Sequence, residues 1–283
     1  MKTKIAIQGI QGSNHHQVVR EYFGNDTELV ECLSFDYLVD RLLDASADLG
    51  VMAIENSIAG SIIPNYALIY HHDLQIIGEH YLNIDHHLMV LKGQKITDIE
   101  EVRSHPMALL QCKEFFRDFP HIKMVEDVDT AETAKRIRDT KNGKIAAIAP
   151  AVAAELYSLD IVASRIQTIK NNATRFIIAS TKTGPSFEAV NKNGKASGIN
   201  KASVRLETDH KRGSLATVLN VMSDCNLNLT KIQSLPIIET PWKYSFFIDI
   251  TFEKYEYFEK AKALLNIMLE QFKVLGEYKN AQL

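Results

Sequence analysis

Residues 4–23, KIAIQGIQGSNHHQVVREYF, begin the pattern that decides the fold. The apolar run Ile5-Ala6-Ile7 predicts a buried strand, and the two glycines within residues 9–13 predict a tight turn after it. Apolar residues then recur at helical spacing, at Val18, Val19, Tyr22 and Phe23. The segment therefore predicts a strand that turns directly into a helix, which is the repeating unit of an α/β sheet.

The same alternation continues to about residue 180. Further buried strands are predicted at 29–33, 51–54, 145–149 and 176–179. Ser34 is a candidate N-cap for the second helix. The predicted buried side of that helix consists of Phe35, Leu38, Val39, Leu42 and Leu43.

Two later helices have recognisable first residues. Pro106 suits the first position of a helix, and Asp129 with Glu132 forms a candidate capping box. The apolar side predicted for the Pro106 helix is Leu109, Cys112, Phe115, Phe116 and Phe119. This alternation of strands and helices predicts an α/β sheet that helices cover.

The chain changes character after this region. Residues 182–200 are polar and rich in Gly and Asn, which predicts a linker. Residues 201–283 then follow a ferredoxin-like βαββαβ pattern, a small sheet with two helices on one face. We expect the other face to be open and the edges exposed, which favours pairing with a second copy. The residues that carry this pattern are Val204 and Leu206; Leu215, Val218, Leu219 and Met222; the strand from Leu227; Phe246, Ile248, Ile250 and Phe252; Phe258, Ala261, Leu265, Met268 and Phe272; and 274–278.

Composition restricts the class of protein. A chain of 283 residues predicts two domains, and a net charge of −3 without a basic cluster disfavours nucleic acid as a partner. Three widely spaced cysteines favour a reducing compartment over a disulfide framework. The short first apolar run does not suit a signal peptide, and no run reaches the length of a membrane span. We therefore expect a cytoplasmic protein.

Common catalytic and cofactor signatures are missing from the sequence. There is no dinucleotide fingerprint, no phosphate-binding loop, no nucleophile elbow and no H-E-x-x-H metal motif. Six of the ten histidines stand in adjacent pairs, whose side chains diverge and suit a metal poorly. We predict no cofactor and no metal, and we interpret these histidines as solvated or core residues.

Four polar segments lie where a helix begins or a strand ends. The turn at 9–13 has backbone N–H groups suited to an anion, although a plain βα turn fits equally. Residues 54–61 follow a buried strand, a position that favours ligand binding over a simple capped loop. Ser104 and Gln111 are two helical turns apart and can share a face, but on spacing alone Ser104 is better read as a cap. Residues 171–176 concentrate amides, a hydroxyl and a guanidinium, which favours a site.

Taken together and in this order, these segments resemble the prephenate dehydratases. The resemblance extends from Ile5 to Phe176 and continues through a C-terminal ACT domain. The most specific pieces are Ile54-Glu55-Asn56-Ser57 with Gly60-Ser61, Val102-Arg103-Ser104-His105-Pro106 with Gln111-Cys112, Asp129-Thr130-Ala131, and Asn171-Asn172-Ala173-Thr174-Arg175-Phe176.

The resemblance implies an architecture and a reaction. It implies two α/β subdomains, periplasmic-binding-protein-like, on either side of a catalytic cleft within residues 1–181, a linker at 182–200, and an ACT regulatory domain at 201–283. It implies conversion of prephenate to phenylpyruvate, water and carbon dioxide in L-phenylalanine biosynthesis, without a cofactor or metal. Residues that match catalytic positions are Asn56, Ser104, Gln111 and Thr174; those assigned to substrate binding are Ser13, Ser57, Arg175 and Phe176.

The substrate's chemistry agrees with these residue types. Prephenate carries two carboxylates and a ring hydroxyl, so a guanidinium such as Arg175 and backbone N–H groups near Ser13 can hold it. The Thr174 hydroxyl can donate a hydrogen bond to the leaving hydroxyl. Because threonine is a poor acid, Glu55 or His105 are alternative sources of the proton.

The resemblance also implies an effector site. Gly213, Ser214, Leu215 and Ala216 match the effector-binding turn of ACT domains. The second effector motif usually reads Glu-Ser-Arg-Pro, whereas here it reads Gln233-Ser234-Leu235-Pro236, without either charge. By analogy with the family, we expect L-phenylalanine to be the allosteric effector. We also expect the protein to form a homodimer or homotetramer.

Some positions depart from the family, and two other functions stay open. Asn14-His15-His16 and Met107 stand where the family usually has other residues, which affects the predicted anion loop most. An arogenate dehydratase would keep the same site residues. A non-catalytic two-lobed sensor of small acids would not require the Thr174 hydroxyl, so the intact Thr174-Arg175-Phe176 triplet favours an enzyme.

Overall fold

The structure is a computed structural model, and it describes residues 2–185, 198–208, 211–237 and 243–282. The chain divides into two compact units. The first contains Met1–Gly60 and Tyr81–Phe176, and the second contains Ser61–His80 and Ile177–Leu283. The second unit thus joins a short segment of the N-terminal half to the C-terminal region. The predicted boundaries at 181 and 200 stay predictions, and residues 186–197 of the predicted linker lie outside the described residues.

The described residues alternate strands and helices. The helices are α1 (Asn14–Phe23), α2 (Phe35–Leu43), α3 (Ile63–His71), α4 (Pro106–Cys112), α5 (Thr130–Thr140), α6 (Ala151–Tyr157), α7 (Ser214–Asp224) and α8 (Tyr255–Met268). The strands are β1 (Thr3–Gln8), β2 (Thr27–Cys32), β3 (Leu49–Asn56), β4 (Gly60–Ser61), β5 (Gln75–Asn83), β6 (His87–Val90), β7 (Glu101–Ser104), β8 (Lys123–Glu126), β9 (Ile145–Ala149), β10 (Asp160–Ala163), β11 (Ala173–Ser180), β12 (Lys201–Glu207), β13 (Asn228–Pro236), β14 (Tyr244–Thr251) and β15 (Gln271–Tyr278).

These strands form three sheets, and the α/β class is confirmed. The first has the order β2-β1-β3-β11-β5, with β4 paired to β3, and its β1 runs parallel to both β2 and β3. The second has the order β10-β6-β9-β7-β8 and mixes parallel with antiparallel pairs. The third has the order β13-β14-β12-β15 and is antiparallel in every pair.

The second sheet is buried on both faces, as its nearly continuous apolar strands require. In β9, Ala146 and Ile148 pack in one core cluster, and Ala147 and Ala149 pack in another. Helix α4 contributes to the first cluster, and α5 with α6 contributes to the second. This sandwich fixes the position of α4, which carries one residue of the candidate site.

Helix starts were predicted better than helix ends. Ser34 caps α2, Pro106 begins α4, and the Asp129 carboxylate accepts from the backbone of α5. However, α4 ends at Cys112, and Phe115 lies in a separate 3-10 turn. Leu43, predicted to be buried, is 50% exposed.

The C-terminal part of the second unit has the predicted βαββαβ order, β12-α7-β13-β14-α8-β15. Val204 from the sheet, Val218 from α7 and Phe258 from α8 belong to one core, so both helices cover the same face. The prediction that Phe272 continues α8 was wrong. The helix ends at Met268, and Phe272 pairs with Leu206 in the sheet, because cross-strand pairing overrides a helical spacing there.

The opposite face of this sheet was predicted to be open, and that prediction was wrong. Residues 61–80 of the same unit cover it. The Tyr66 ring meets the Phe247 ring edge-on at 5.3 Å between centroids, and the Arg205 guanidinium lies 3.6 Å from the centre of the Tyr70 ring. Polar residues of this face are consequently buried, whereas the edge strands β13 and β15 pair with no further strand of the described residues.

A buried ion pair reinforces this contact. Lys201 Nζ lies 2.8 and 3.0 Å from the two carboxylate oxygens of Glu79, and their side chains are 3% and 0% exposed. The backbone N–H of Ala281 donates to the same carboxylate at 3.1 Å. Two opposite charges thus share an interior site with additional hydrogen bonding, the condition under which buried charges are tolerated.

Within the described residues, no helix is both long enough and apolar enough to span a lipid bilayer.

Candidate active site

Three carboxamide side chains from distant parts of the first unit form one hydrogen-bonded group, here called the amide cluster: Asn56, Gln111 and Asn172. Asn56 is the last residue of β3, Gln111 lies in α4, and Asn172 immediately precedes β11. Asn56 Nδ2 donates to Asn172 Oδ1 at 2.7 Å, and Asn172 Nδ2 donates to Gln111 Oε1 at 3.0 Å. The cluster therefore joins the end of β3, in the first sheet, to α4, the helix that packs against the second sheet.

The orientation of Asn56 is fixed by the backbone. Its Oδ1 accepts from the N–H groups of Ile58 at 3.0 Å and Ala59 at 2.9 Å. A carboxamide oxygen must face these two donors, so the nitrogen faces the opposite way. Asn56 is therefore a donor toward the rest of the site.

Thr174 is bound to the amide cluster through Asn56. Asn56 Nδ2 donates to Thr174 Oγ1 at 2.9 Å, and Thr174 is 7% exposed. Since an amide nitrogen donates but does not accept hydrogen bonds, the hydroxyl oxygen accepts this bond and keeps its own proton for another acceptor. Among the described residues, none accepts from this hydroxyl. The arrangement prepares Thr174 to donate a hydrogen bond to a ligand.

Gln111 presents its amide nitrogen in the same way. Its Oε1 accepts from Asn172 and its backbone carbonyl accepts from Thr168 N at 2.8 Å. No acceptor for Gln111 Nε2 occurs within the described ranges, and the side chain is half-buried. Two N–H bonds are thus left for a ligand oxygen.

Ser57 holds the two strand ends together. Its N–H donates to the Ala173 carbonyl at 2.8 Å, and its Oγ accepts from the Ala173 N–H at 2.9 Å. This reciprocal pair fixes the separation between Asn56 and Thr174. Its predicted contact with substrate stays a prediction.

Ser104 is the last residue of β7 in the second sheet, and its hydroxyl takes no part in the hydrogen bonds of the amide cluster and Thr174. It is completely buried, and its hydroxyl donates to the Ile148 carbonyl at 2.6 Å. The residue that caps α4 is His105, whose Nδ1 accepts from Met107 N, so the alternative interpretation of Ser104 as the cap was wrong. A catalytic role for Ser104 stays a prediction.

Arg175 and Phe176 follow Thr174 in β11 and are both buried. Phe176 packs edge-on against the buried ring of His15, with 5.0 Å between ring centroids, and so contributes to the core. Arg175 is 4% exposed. Their predicted contacts with substrate stay predictions.

The loop around Ser13 differs from the predicted anion site. Ser13 caps α1 by accepting from His16 N, and its own N–H donates to the Ile10 carbonyl. Gly12 N donates to His16 Nδ1 at 2.9 Å, and Gln11 N donates to the Glu31 carboxylate at 2.7 Å. The backbone donors of residues 11–13 are therefore paired within the chain, and a carboxylate already occupies one of them. The expectation of free donors in this loop was wrong.

Two residues outside the predicted set belong to the site. Asn172 stands within the recognised motif, but sequence spacing gives no sign that it bridges Asn56 and Gln111. His86 was grouped with the solvated or core histidines, yet its Nε2 lies 2.9 Å from Gln111 Oε1. Burial lowers the pKa of His86 below its usual value, so the ring is neutral near pH 7. A partner 25 residues away in sequence leaves no local pattern that reveals such a contact.

Among the described residues, no group of three His, Cys, Asp or Glu side chains could hold a metal ion. Cys112 is fully buried, and burial raises the pKa of its thiol to about 12, so it is not a nucleophile at neutral pH. His105, one candidate proton source, is exposed, and Glu55, the other, is half-buried.

The second unit contains a cavity near one predicted effector motif. Gly213 has a φ of 86°, in the left-handed region that glycine favours, and α7 begins directly after it. Ser214 lines a cavity of about 320 Å³ together with residues of β12, β14 and the end of α8. Leu215 and Ala216 continue α7. Gln233 and Ser234 lie in β13, where Gln233 Nε2 donates to the Ser234 carbonyl.

Comparison with known proteins gives one consistent family. The family model for prephenate dehydratase matches residues 5–184. A bifunctional chorismate mutase/prephenate dehydratase from Enterobacter agglomerans is 32% identical over 279 residues, which is 97% of this chain and 70% of that protein.

Two solved structures share the whole fold. One is a prephenate dehydratase in complex with L-Phe from Arthrobacter aurescens, with a TM-score of 0.84, 24% identity, and coverage of 99% of this chain and 91% of that chain. The other is GqqA, described as a novel type of quorum quenching acylase, with a TM-score of 0.84, 25% identity, and coverage of 98% and 97%.

Proposed function

The chain belongs to the prephenate dehydratase family, and we propose that it converts prephenate to phenylpyruvate at the amide cluster and Thr174. Prephenate is a dianion whose ring hydroxyl and ring carboxylate leave together. The products are phenylpyruvate, carbon dioxide and, after uptake of one proton, water. Because the ring becomes aromatic, the reaction is strongly downhill, and the protein must mainly orient the dianion and help the hydroxyl leave.

The bond from Asn56 to Thr174 carries this proposal. It makes the Thr174 oxygen an acceptor from Asn56 and so directs the Thr174 proton outward. A hydrogen bond to the departing oxygen is worth more as negative charge develops on it, which is the requirement for transition-state stabilisation. Gln111 Nε2 supplies a second donor to the same ligand. Thr174 is too weak an acid to transfer its proton completely, so Glu55 or His105 supplies the proton that completes water.

The fold alone does not select this reaction. GqqA has the same fold and the name of an acylase, and folds commonly host several activities. The assignment instead rests on the family match and on the donor geometry around Thr174. Arg175 remains the proposed partner of a substrate carboxylate, because a guanidinium binds a carboxylate through two parallel hydrogen bonds.

The direct experiment offers the purified protein prephenate and arogenate separately. We expect formation of phenylpyruvate from prephenate, and faster formation of phenylalanine from arogenate would instead identify an arogenate dehydratase. No product from either would indicate the non-catalytic sensor. Thr174→Val keeps the side chain's shape but removes the hydroxyl, and it should lower kcat by about a hundredfold or more.

Thr174→Ser is the matched control, since it keeps the hydroxyl and should retain much of the activity. Arg175→Lys should raise KM, because lysine cannot form the forked contact. Equal kcat in wild type and Thr174→Val would disprove the role of the hydroxyl.

We further propose that residues 201–283 form an ACT domain that responds to L-phenylalanine. The support is the βαββαβ order, the Gly213 turn beside the cavity lined by Ser214, and the related structure in complex with L-Phe. Isothermal calorimetry with L-phenylalanine tests this. Heat of binding together with inhibition is expected, and the absence of both would remove the regulatory role.

Two broader properties complete the proposal. Three free, buried cysteines suit a reducing compartment, which supports a cytoplasmic enzyme. The edge strands β13 and β15, which pair with no further strand in the part of the chain that the structure describes, suit assembly into a homodimer or homotetramer. Sedimentation equilibrium measures the assembly directly, and a monomer at micromolar concentration would exclude it.

A further inference from the structure

At its Gln111 end, the amide cluster contacts a buried histidine, His86. His86 follows β5, is 5% exposed, and places Nε2 2.9 Å from Gln111 Oε1. Its backbone is held on both sides, because His86 N donates to Gln167 Oε1 at 3.0 Å and Ile166 N donates to the His86 carbonyl at 2.8 Å. These two bonds fix the main chain of His86 beside Gln111.

The direction of every bond in the chain follows from its fixed end. Two backbone N–H groups hold Asn56 Oδ1, so Asn56 Nδ2 donates to Asn172 Oδ1. Asn172 must then present its nitrogen to Gln111, and Gln111 accepts through Oε1. His86 Nε2 faces this same oxygen, so it can bond only as a donor. The neutral ring therefore has its proton on Nε2.

Each alternative arrangement loses a bond. A proton on Nδ1 would put the Nε2 lone pair against Gln111 Oε1. Turning the Gln111 amide over would repair that contact but would bring its NH₂ against the NH₂ of Asn172. Turning all three amides would bring the Asn56 nitrogen against the two backbone donors, so no alternative satisfies every group.

The other ring nitrogen explains why the ring stays neutral. His86 Nδ1 is buried, and the described residues offer it no hydrogen-bond partner. Burial lowers the pKa of His86, the hydrogen bond with Gln111 opposes this, and neighbouring His87 and Asp85 have smaller, opposite effects. A proton on Nδ1 would add a buried charge and an unpaired donor together.

We propose that His86 is a positioning residue that, through its Nε2–H, holds the Gln111 oxygen and thereby turns Gln111 Nε2 toward the substrate. This inference rests on the proposed function of Gln111 and Thr174. His86 itself contacts neither substrate nor reacting atoms. Without it, the Gln111 side chain keeps a single hydrogen bond, from Asn172, and its amide is less firmly oriented.

Substitutions at position 86 can distinguish the effect of losing the N–H donor from the effect of losing the imidazole ring. His86→Leu removes the donor, and we expect kcat to fall on the order of ten- to a hundredfold with a smaller change in KM. His86→Gln can place an amide N–H near the position of Nε2, and it should recover most of this loss. His87→Leu is the matched control at the next position and should leave kcat unchanged.

Thermal unfolding of each variant checks that the fold survives. If folded His86→Leu keeps kcat within about twofold of wild type, or if His86→Gln is as impaired as His86→Leu at equal Tm, the proposal is wrong.

A second measurement does not depend on activity. Long-range ¹H–¹⁵N NMR correlations of wild-type protein with ¹⁵N-labelled histidine report which ring nitrogen carries the proton, and His86→Gln assigns the signal. We expect the Nε2–H form at neutral pH. An Nδ1–H or doubly protonated ring would overturn the proposal even if prephenate is turned over. Conversely, an inactive wild type with an Nε2–H His86 would contradict the proposed function and leave the hydrogen-bond assignment intact.

Discussion

The buried pair of Glu79 and Lys201 makes a strong prediction about stability. Lys201→Met removes the ammonium while keeping most of the apolar stem, so the Glu79 carboxylate loses two bonds of 2.8 and 3.0 Å. Both side chains are almost completely buried, and little water can replace the lost partner. Breaking one side of such a pair costs about 3–5 kcal/mol, a large part of the stability of a typical domain.

The assay is equilibrium urea denaturation followed by circular dichroism, with the variant Lys144→Met as the matched control. Lys144 lies 2.9 Å from Glu100, but the two side chains are 63% and 67% exposed, so the free energy of unfolding should not change measurably. The double variant Glu79→Gln/Lys201→Met should recover part of the loss, because it leaves no unpaired charge. A cost for Lys201→Met as small as that of the control would refute the reasoning.

Three further predictions concern the core, the site and the close packing in the second unit. Burial lowers the pKa of His15 from 6.5 to about 4, so the unfolded chain takes up the proton first and stability is lost as pH falls through this interval. His15 should contribute about 3 kcal/mol to this loss, so the loss should be smaller by about that amount in His15→Leu, as urea denaturation at several pH values will measure. Asn56→Asp should reduce kcat by about a hundredfold or more, because the Thr174 hydroxyl would donate its hydrogen bond to the new carboxylate and not to the substrate. Unchanged steady-state kinetics would contradict this. Gly276→Ala would press a methyl group against the Ile76 carbonyl oxygen, so the free energy of unfolding should fall by about 1–3 kcal/mol, and an unchanged Tm would contradict this close packing.

Local features of the fold were predictable because their physical causes are local. Ser34, Pro106 and Asp129 mark helix starts since each acts on backbone groups within three residues. The end of α8 was not predictable from spacing. Phe272 continues the helical period, but its place in β15 is decided by pairing with Leu206, which lies far away in sequence.

The candidate site was likewise predictable only in part. Asn56, Gln111 and Thr174 were found through motifs, whereas their mutual orientation depends on bonds that join residues 116 and 61 positions apart. Asn172 and His86 were not predicted as members of the candidate site, because the hydrogen bonds of an amide or imidazole depend on partners that sequence spacing does not reveal. The loop before Ser13 shows the converse error, since a turn that looks open in sequence is closed by Glu31 and His16.

The cover that residues 61–80 provide for the third sheet has a practical consequence for modular engineering. A fragment cut at the predicted domain border would uncover Lys201, Arg205 and Phe247 together, which places charged and aromatic groups from an interior surface in water. Such a fragment is a poor candidate for transplantation into an unrelated enzyme as a portable sensor. A chimera that also carries α3 and the beginning of β5 would transfer the sheet with its natural lining.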